Sequence, residues 1–110
     1  MAEEEFVATL ESLRRKIDAL DDALVRLLNT RAACALEIGR VKKQVGLAIY
    51  QPSREAEVLG HVQSINPGPL DDGAIRRLFE RIIDEAHRLE RNADGHPHDD
   101  DADAGEGSET

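Results

Sequence analysis

The sequence predicts an all-α protein built from a long, a short and a medium helix, on the grounds of composition and periodicity. Aromatic residues make up 3% of the 110 residues and Trp is absent, which suits packed helices better than a β-sandwich. Along the first part of the chain, apolar residues recur at alternating spacings of four and three, which is the repeat of a helical seam. A chain of this length forms one small domain.

The first predicted helix is long enough to require a partner. Its seam starts at Phe6, and no proline occurs before Pro52, so one helix can run from about residue 5 to about residue 44 and end near Gly46. At 1.5 Å per residue this helix is on the order of 60 Å long, and a globular body of this size is only about half that across. The simplest partner is a second copy of the chain. The seam positions are Phe6, Leu10, Leu13, Ile17, Leu20, Leu24, Leu27, Arg31, Cys34, Ile38, Val41 and Val45.

Two shorter helices are predicted after the loop at residues 46–53. Pro52 fits the first turn of the short helix, which has one apolar face and is broken at residues 66–69, Asn-Pro-Gly-Pro. Asp71 or Asp72 offers the N-cap of a third helix of about 20 residues. The apolar faces comprise Val58, Leu59, Val62 and Ile65 in the short helix, and Ile75, Leu78, Phe79, Ile82, Ile83, Ala86 and Leu89 in the third.

The acidic charge of the chain is concentrated at its end. Residues 92–110 hold seven of the 23 acids and no Lys or Arg, which leaves 16 acids against 14 bases, a net charge of −2, in residues 1–91. We therefore predict a helical domain over residues 1–91 and a disordered acidic tail over residues 92–110, because the tail lacks large apolar side chains. The near-neutral domain has no basic stripe, so nucleic acid is excluded as a partner.

The sequence also predicts a cytoplasmic protein without a membrane segment. No apolar stretch approaches the roughly 20 residues of a membrane span, and the start Ala2-Glu3-Glu4-Glu5 is opposite in charge to a signal peptide. Cys34 is the one cysteine and lies in an apolar run, so we interpret it as a buried small hydrophobe in a reducing compartment. No metal site or cofactor is predicted, and the histidines at 96 and 98 are interpreted as part of a solvated tail.

Charged residues at apolar positions of the helical pattern are the candidates for function. Arg31 interrupts the long seam, and burying an unpaired guanidinium costs several kcal/mol. It therefore marks the end of the seam, forms an ion pair, or binds an anion. Lys42 lies eleven residues on, nearly three full turns, so it projects from almost the same face about 16 Å along the axis. Two cations on one face predict a pocket for a small dianion.

Four further charged residues have positions that call for an explanation. Glu90 continues the apolar face of the third helix, so it points at the bundle interior unless the helix end frays. Arg54 opens the short helix, where a cation opposes the helix dipole, so an anionic ligand explains it better than the fold does. Glu55 suits that dipole and needs no ligand. Arg14 lies about 25 Å from Arg31 and roughly 100° round the helix, so it joins Arg31 only from a partner chain.

Five segments between about residues 10 and 91 share an ordered pattern with a known enzyme family. They are Leu13–Asp21, Leu27–Arg31, Glu37–Lys42, Tyr50–Glu55 and Leu78–Glu90. In this order and spacing they resemble the all-helical type of chorismate mutase. The resemblance implies a three-helix protomer intertwined as a homodimer. It also implies two active sites, each built mainly from one chain plus an arginine from the other, and no cofactor.

The reaction implied by the resemblance is the concerted [3,3] rearrangement of chorismate to prephenate in phenylalanine and tyrosine biosynthesis. It involves neither proton transfer nor a covalent intermediate, so the protein confines the diaxial conformer and stabilises charge on the breaking ether oxygen. Arg31, Arg14 of the partner chain and Arg54 would clamp the carboxylates, because a guanidinium meets a carboxylate in two parallel hydrogen bonds.

The resemblance also assigns the remaining polar contacts. Lys42 would donate to the ether oxygen and touch a carboxylate, Glu55 would take the ring hydroxyl, and Glu90 would donate a second hydrogen bond to the ether oxygen. A glutamate donates only when protonated, so activity is expected to fall as pH rises through the pKa of Glu90. Burial raises that pKa, whereas Lys42 and the arginines lower it.

Two positions depart from the family pattern. Gln51 stands where the family commonly has Asp, and since Gln is a poorer helix cap, we expect some loss of order in the loop. Ala86 stands where some members have a Ser that contacts a carboxylate, so one hydrogen bond of about 1 kcal/mol is lost. Neither change removes a cation, and both residues stay among the expected substrate contacts.

Other functions on the same scaffold stay open. Isochorismate pyruvate-lyases and mutases of aminodeoxychorismate share the cationic clamp and differ around residues 43–52 and in the third helix. Glu90 favours chorismate mutase over these. A non-catalytic helical dimer that regulates another enzyme of the shikimate pathway would have replaced site residues, and here they are all compatible with catalysis. A stimulatory partner enzyme of that pathway, or feedback by an aromatic amino acid, also stays open.

Overall fold

Three α-helices make up the structure, a computed structural model that describes residues 2–48 and 50–93. They are α1 over Glu3–Val45, α2 over Pro52–Ser64 and α3 over Asp72–Ala93, and these described residues contain no strand. The all-α fold class and the long, short, medium order are confirmed. α3 continues two residues past the predicted domain end at 91, since no proline or glycine interrupts Asn92-Ala93. The rest of the predicted tail, residues 94–110, lies outside the described residues.

The two ends of α1 follow the chemistry that the sequence provides. Three glutamates lie in its first turn and Lys42 and Lys43 lie in its last turn, where each charge is favourable in the field of the helix dipole. Gly46 follows with φ +78°, and Leu47 N donates to Lys42 O at 2.8 Å. The left-handed conformation of Gly46 and the hydrogen bond from Leu47 to Lys42 terminate the helix. The predicted end near Gly46 is therefore confirmed.

α2 and α3 pack against each other and supply the small core of the second part of the chain. Leu59 of α2 and Ile83 of α3 are each 7% exposed. Asn66 organises the turn between the helices, because its Nδ2 donates to Leu70 O at 2.7 Å. The Oδ1 atom of Asp71 accepts a hydrogen bond from Ala74 N at 2.7 Å, which makes Asp71 the N-cap of α3, as predicted.

Contacts divide the chain into two units within α1, with Arg31 the last residue of the first and Ala32 the first residue of the second. α1 has no buried residue. Its large apolar seam side chains are about half exposed or more, from 46% at Leu10 to 65% at Leu27. Cys34 is exposed as well, so the prediction that it is buried is wrong for the single chain. The reason is that the part of the seam on which it lies is not covered by the described residues, since Ile38 and Val41 are also exposed.

None of the helices in the described ranges combines the length and apolar content needed to cross a bilayer.

Gln51 is the N-cap residue of α2 and caps it through its backbone alone. It has φ −131° and ψ 97°, and its side chain makes no capping hydrogen bond. Its carbonyl oxygen accepts from Arg54 N at 3.1 Å and from Glu55 N at 3.2 Å. The side chain therefore caps no amide of the first turn, and the expected loss of order in the loop stays a prediction.

We expect Gln51→Asp to raise the free energy of unfolding by about 1 kcal/mol, because the shorter aspartate side chain can accept a hydrogen bond from a first-turn amide and suits the helix dipole. Thermal or urea unfolding followed by circular dichroism measures the change. Gln51→Glu is the matched control, since it adds the same charge on a side chain too long for the cap. Equal gains from both variants would show that charge, and not capping, is responsible.

Candidate active site

Two of the eight predicted site residues, Arg14 and Arg31, lie in the first unit. Arg14 is exposed and its Nη1 lies 3.9 Å from Oε2 of Glu11, one turn earlier. An exposed pair of this kind contributes little to stability, so Arg14 can reorient toward a ligand at small cost. Arg31 is half-buried. The other six lie in the second unit: Lys42, Gln51, Arg54, Glu55, Ala86 and Glu90.

Glu90 is buried where α3 meets α1. Its side chain is 7% exposed, and a methyl group added at Gly39 would lie 3.4 Å from its Cγ and 3.5 Å from its Oε2. Since α3 continues to Ala93, the alternative of a frayed helix end is wrong, and the prediction that Glu90 points to the interior is confirmed. These are ordinary van der Waals distances, so the Glu90 side chain packs directly on the α1 backbone at Gly39.

Lys42 belongs to the same stretch of α1. It follows Gly39 by three residues, which makes the two positions neighbours on the helix surface. Its side chain is half-buried, whereas that of Lys43 is exposed. The second unit therefore places a partly desolvated cation one helical turn from the glycine against which the buried acid packs.

Glu55 lies in the first turn of α2 and faces α3. Its Oε2 is 3.1 Å from Nε2 of His87, and the two side chains are 24% and 20% exposed. Oε2 is fully buried and has no aligned hydrogen-bond donor among the described residues, so this close contact is not an aligned hydrogen bond. The ring of Tyr50 meets the imidazole edge to face, with centroids 5.6 Å apart and an interplanar angle of 84°.

His87 and Gly39 were not among the residues predicted for the site. His87 precedes Glu90 by three positions and therefore shares its helix face, which is the signal that could have identified it. Gly39 lies inside a long helix, where glycine is less favourable than alanine by about 1 kcal/mol. That cost indicates a close approach of another element.

Arg54 has an acidic partner, Glu57, within its own helix, which was not predicted from the sequence. Its Nη1 lies 3.2 Å from Oε1 of Glu57, and both side chains are about 70% exposed. Glu57 partly offsets the unfavourable charge at the start of α2, so the position of Arg54 does not by itself require an anionic ligand. Gln51 and Ala86 are half-buried, and no described contact of their side chains indicates a role.

A cavity of about 440 Å³ lies between the loop before α2, α2 itself and α3. Of the predicted site residues it contains Glu55 only, and an ion pair between Arg76 and Glu80, 3.2 Å apart, lies along it. The cavity therefore adjoins the predicted site without coinciding with it. Its lining residues are Tyr50, Pro52, Glu55, Ala56, Leu59, Arg76, Glu80, Ile83 and Asp84.

Comparison with known proteins decides the family. The family model for chorismate mutase type II matches residues 13–91. The chain belongs to this family. The match confirms the resemblance seen in the sequence, and all eight predicted site residues of the chorismate mutase pattern fall inside it.

Curated relatives of this chorismate mutase family member include larger proteins. The bifunctional chorismate mutase/prephenate dehydratase of Pseudomonas aeruginosa is 41% identical over 87 residues, which cover 74% of this chain and 24% of that protein. The T-protein of Enterobacter agglomerans is 49% identical over 92 residues, covering 78% of this chain and 23% of that protein. The chain thus spans about a quarter of the length of these relatives.

Solved chorismate mutases of similar size share the fold. A chorismate mutase from Thermus thermophilus is 37% identical with a TM-score of 0.74, and the match covers 76% of this chain and 94% of that one. The chorismate mutase from Helicobacter pylori in complex with prephenate is 30% identical with a TM-score of 0.74, and the match covers 81% of this chain and 97% of that one.

Proposed function

We propose that this chain is a chorismate mutase that rearranges chorismate to prephenate. The observation that carries the proposal is the burial of Glu90 against Gly39 of α1. Gly39 lies one helical turn before the half-buried Lys42, and the chain belongs to the chorismate mutase type II family. An acid and a cation brought to one stretch of α1 are the pair of donors that the ether oxygen of chorismate requires. The related Helicobacter pylori enzyme was solved with prephenate, which supports the same product here.

The proposed mechanism is electrostatic and geometric. Arg31 binds one substrate carboxylate through two parallel hydrogen bonds, and Arg14 of the partner chain with Arg54 completes the clamp. The clamp holds the diaxial conformer, so that the entropy of bringing the two reacting carbons together is lost at binding. Lys42 and protonated Glu90 donate to the ether oxygen, where negative charge develops as the C–O bond breaks.

A second copy of the chain is the proposed partner of α1. Leu20 and Leu27 are 63% and 65% exposed, and burying one such side chain is worth about 1.5–3 kcal/mol. The apolar side chains of the seam are exposed from Phe6 to Val45 among the described residues, and a twofold-related α1 offers a surface of matching period and chemistry. Such an intertwined homodimer also brings Arg14 to the site of the other protomer.

The test combines turnover with subunit mixing. The purified wild-type protein is incubated with chorismate, the loss of ultraviolet absorbance is followed, and the product is identified. We expect prephenate from the wild type and almost none from Arg14→Ala or Arg31→Ala. The two variants are then unfolded together and refolded, with refolded wild type as the reference. Random pairing gives mixed dimers with one intact site, so about a quarter of the reference activity should return.

Each outcome identifies a different part of the proposal. Turnover without recovery on mixing would show that Arg14 serves the site of its own chain. Conversion of isochorismate, but not of chorismate, would assign the chain to isochorismate pyruvate-lyase chemistry. Absence of turnover with either substrate would favour a non-catalytic helical dimer.

A further inference from the structure

The close contact between Glu55 and His87 joins three elements of the second unit. Glu55 comes from α2, His87 from α3, and Tyr50 from the loop between α1 and α2 contacts the imidazole ring edge to face. The two side chains are 24% and 20% exposed. Solvent therefore competes with this contact less than with the exposed pairs along the helices.

The two carboxylate oxygens of Glu55 have different surroundings. Oε2 is fully buried and lies 3.1 Å from Nε2 of His87, without an aligned hydrogen-bond donor among the described residues, so a ligand cannot reach it. The carboxylate then has Oε1 to accept a hydrogen bond from a ligand. Without His87, the carboxylate would be free to rotate about its last side-chain bond, and it would present either oxygen.

We propose that His87 is a positioning residue, which holds the Glu55 carboxylate so that one oxygen faces the ring hydroxyl of the substrate. This inference rests on the proposed function. The imidazole does not touch the reacting atoms. The Tyr50 ring holds the imidazole plane from the loop side, and the first turn of α2 holds Glu55 from the other. His87 therefore determines how well the site binds a substrate with this hydroxyl.

The expected signature is a change in KM, because the hydroxyl is held equally in the ground state and in the transition state. Uniform binding of this kind lowers KM without raising kcat. We expect His87→Leu to raise KM for chorismate about tenfold, the loss typical of a hydrogen bond to a charged group, with kcat within about twofold. His87→Gln should restore most of the affinity, since its amide nitrogen can occupy the place of Nε2.

A double-mutant cycle separates this role from a structural one. If His87 acts through Glu55, then His87→Leu should change KM little in a Glu55→Ala background. Circular dichroism and thermal unfolding establish that each variant is folded. Should His87→Leu fail to fold, His87→Phe provides an apolar ring in its place and is measured in the same cycle.

The outcomes distinguish this inference from the proposed function. An unchanged KM in His87→Leu, or an equal rise in KM with and without Glu55, overturns the inference while wild-type turnover of chorismate continues. A fall in kcat with unchanged KM overturns it too, because His87 would then act on the transition state alone. A wild-type protein that leaves chorismate unchanged overturns both proposals. A rise in KM that is rescued by Gln and is absent without Glu55 supports the inference.

Discussion

Lys42→Ala is expected to lower kcat/KM for chorismate by about 10²–10³-fold, which corresponds to about 2.7–4 kcal/mol of transition-state stabilisation. In the proposed mechanism its ammonium meets charge that exists only as the ether bond breaks. The half-buried position near the α1–α3 contact strengthens that interaction relative to water. The loss should therefore appear mainly in kcat. Steady-state kinetics on chorismate, with the product identified, measures it.

Lys43→Ala is the matched control for Lys42. Both lysines lie in the last turn of α1, so each variant loses the same favourable interaction with the helix dipole, about 0.3–1 kcal/mol of stability. Lys43 is exposed and has no assigned contact with the substrate. Its variant should keep wild-type kinetics. Equal losses in the two variants would mean that helix stability, and not donation to the ether oxygen, explains the result.

The activity is expected to fall with rising pH, by about tenfold for each unit above the pKa of Glu90, because only the protonated carboxyl donates a hydrogen bond. Below that pKa the donor is fully present and the rate is independent of pH. Glu90 is the group concerned because it is 7% exposed and packs against Gly39. A profile of kcat/KM from acid to alkaline conditions measures the fall.

Glu90→Gln should remove this pH dependence, because an amide donates at every pH. The variant is then expected to match the wild type at acid pH and to exceed it by a growing factor at alkaline pH. An alkaline fall that persists in Glu90→Gln would show that another group is responsible. A wild-type profile that is flat throughout would refute the proposed role of Glu90.

The positions of the helices could be predicted closely because local interactions determine them. The apolar repeat, Gly46 after α1 and Asp71 before α3 all act within a few residues, and the structure places the helix ends within about two residues of the predicted ones. Burial was harder to predict. Cys34 follows the seam but is exposed, since the periodicity of a helix shows which face is apolar and not what covers it.

The contacts that define the candidate site were harder to predict from the sequence. Glu55 and His87 lie 32 residues apart, and Gly39 and Glu90 lie 51 residues apart, so their meeting depends on how the helices pack. The burial of Glu90 could be predicted because it continues an apolar face. The pair between Arg54 and Glu57 was predictable, because residues three apart are neighbours on the surface of one helix. The prediction for Arg54 rested on the helix dipole alone and therefore missed it.

The uncovered seam of α1 has a consequence for the behaviour of the protein on dilution. If the seam is buried only by a second copy, folding of α1 and association are one equilibrium, and the apparent stability depends on protomer concentration. Each tenfold dilution then removes about 1.4 kcal/mol of stability per dimer. The amount of protein that a cell produces would thus set the fraction that is both folded and active.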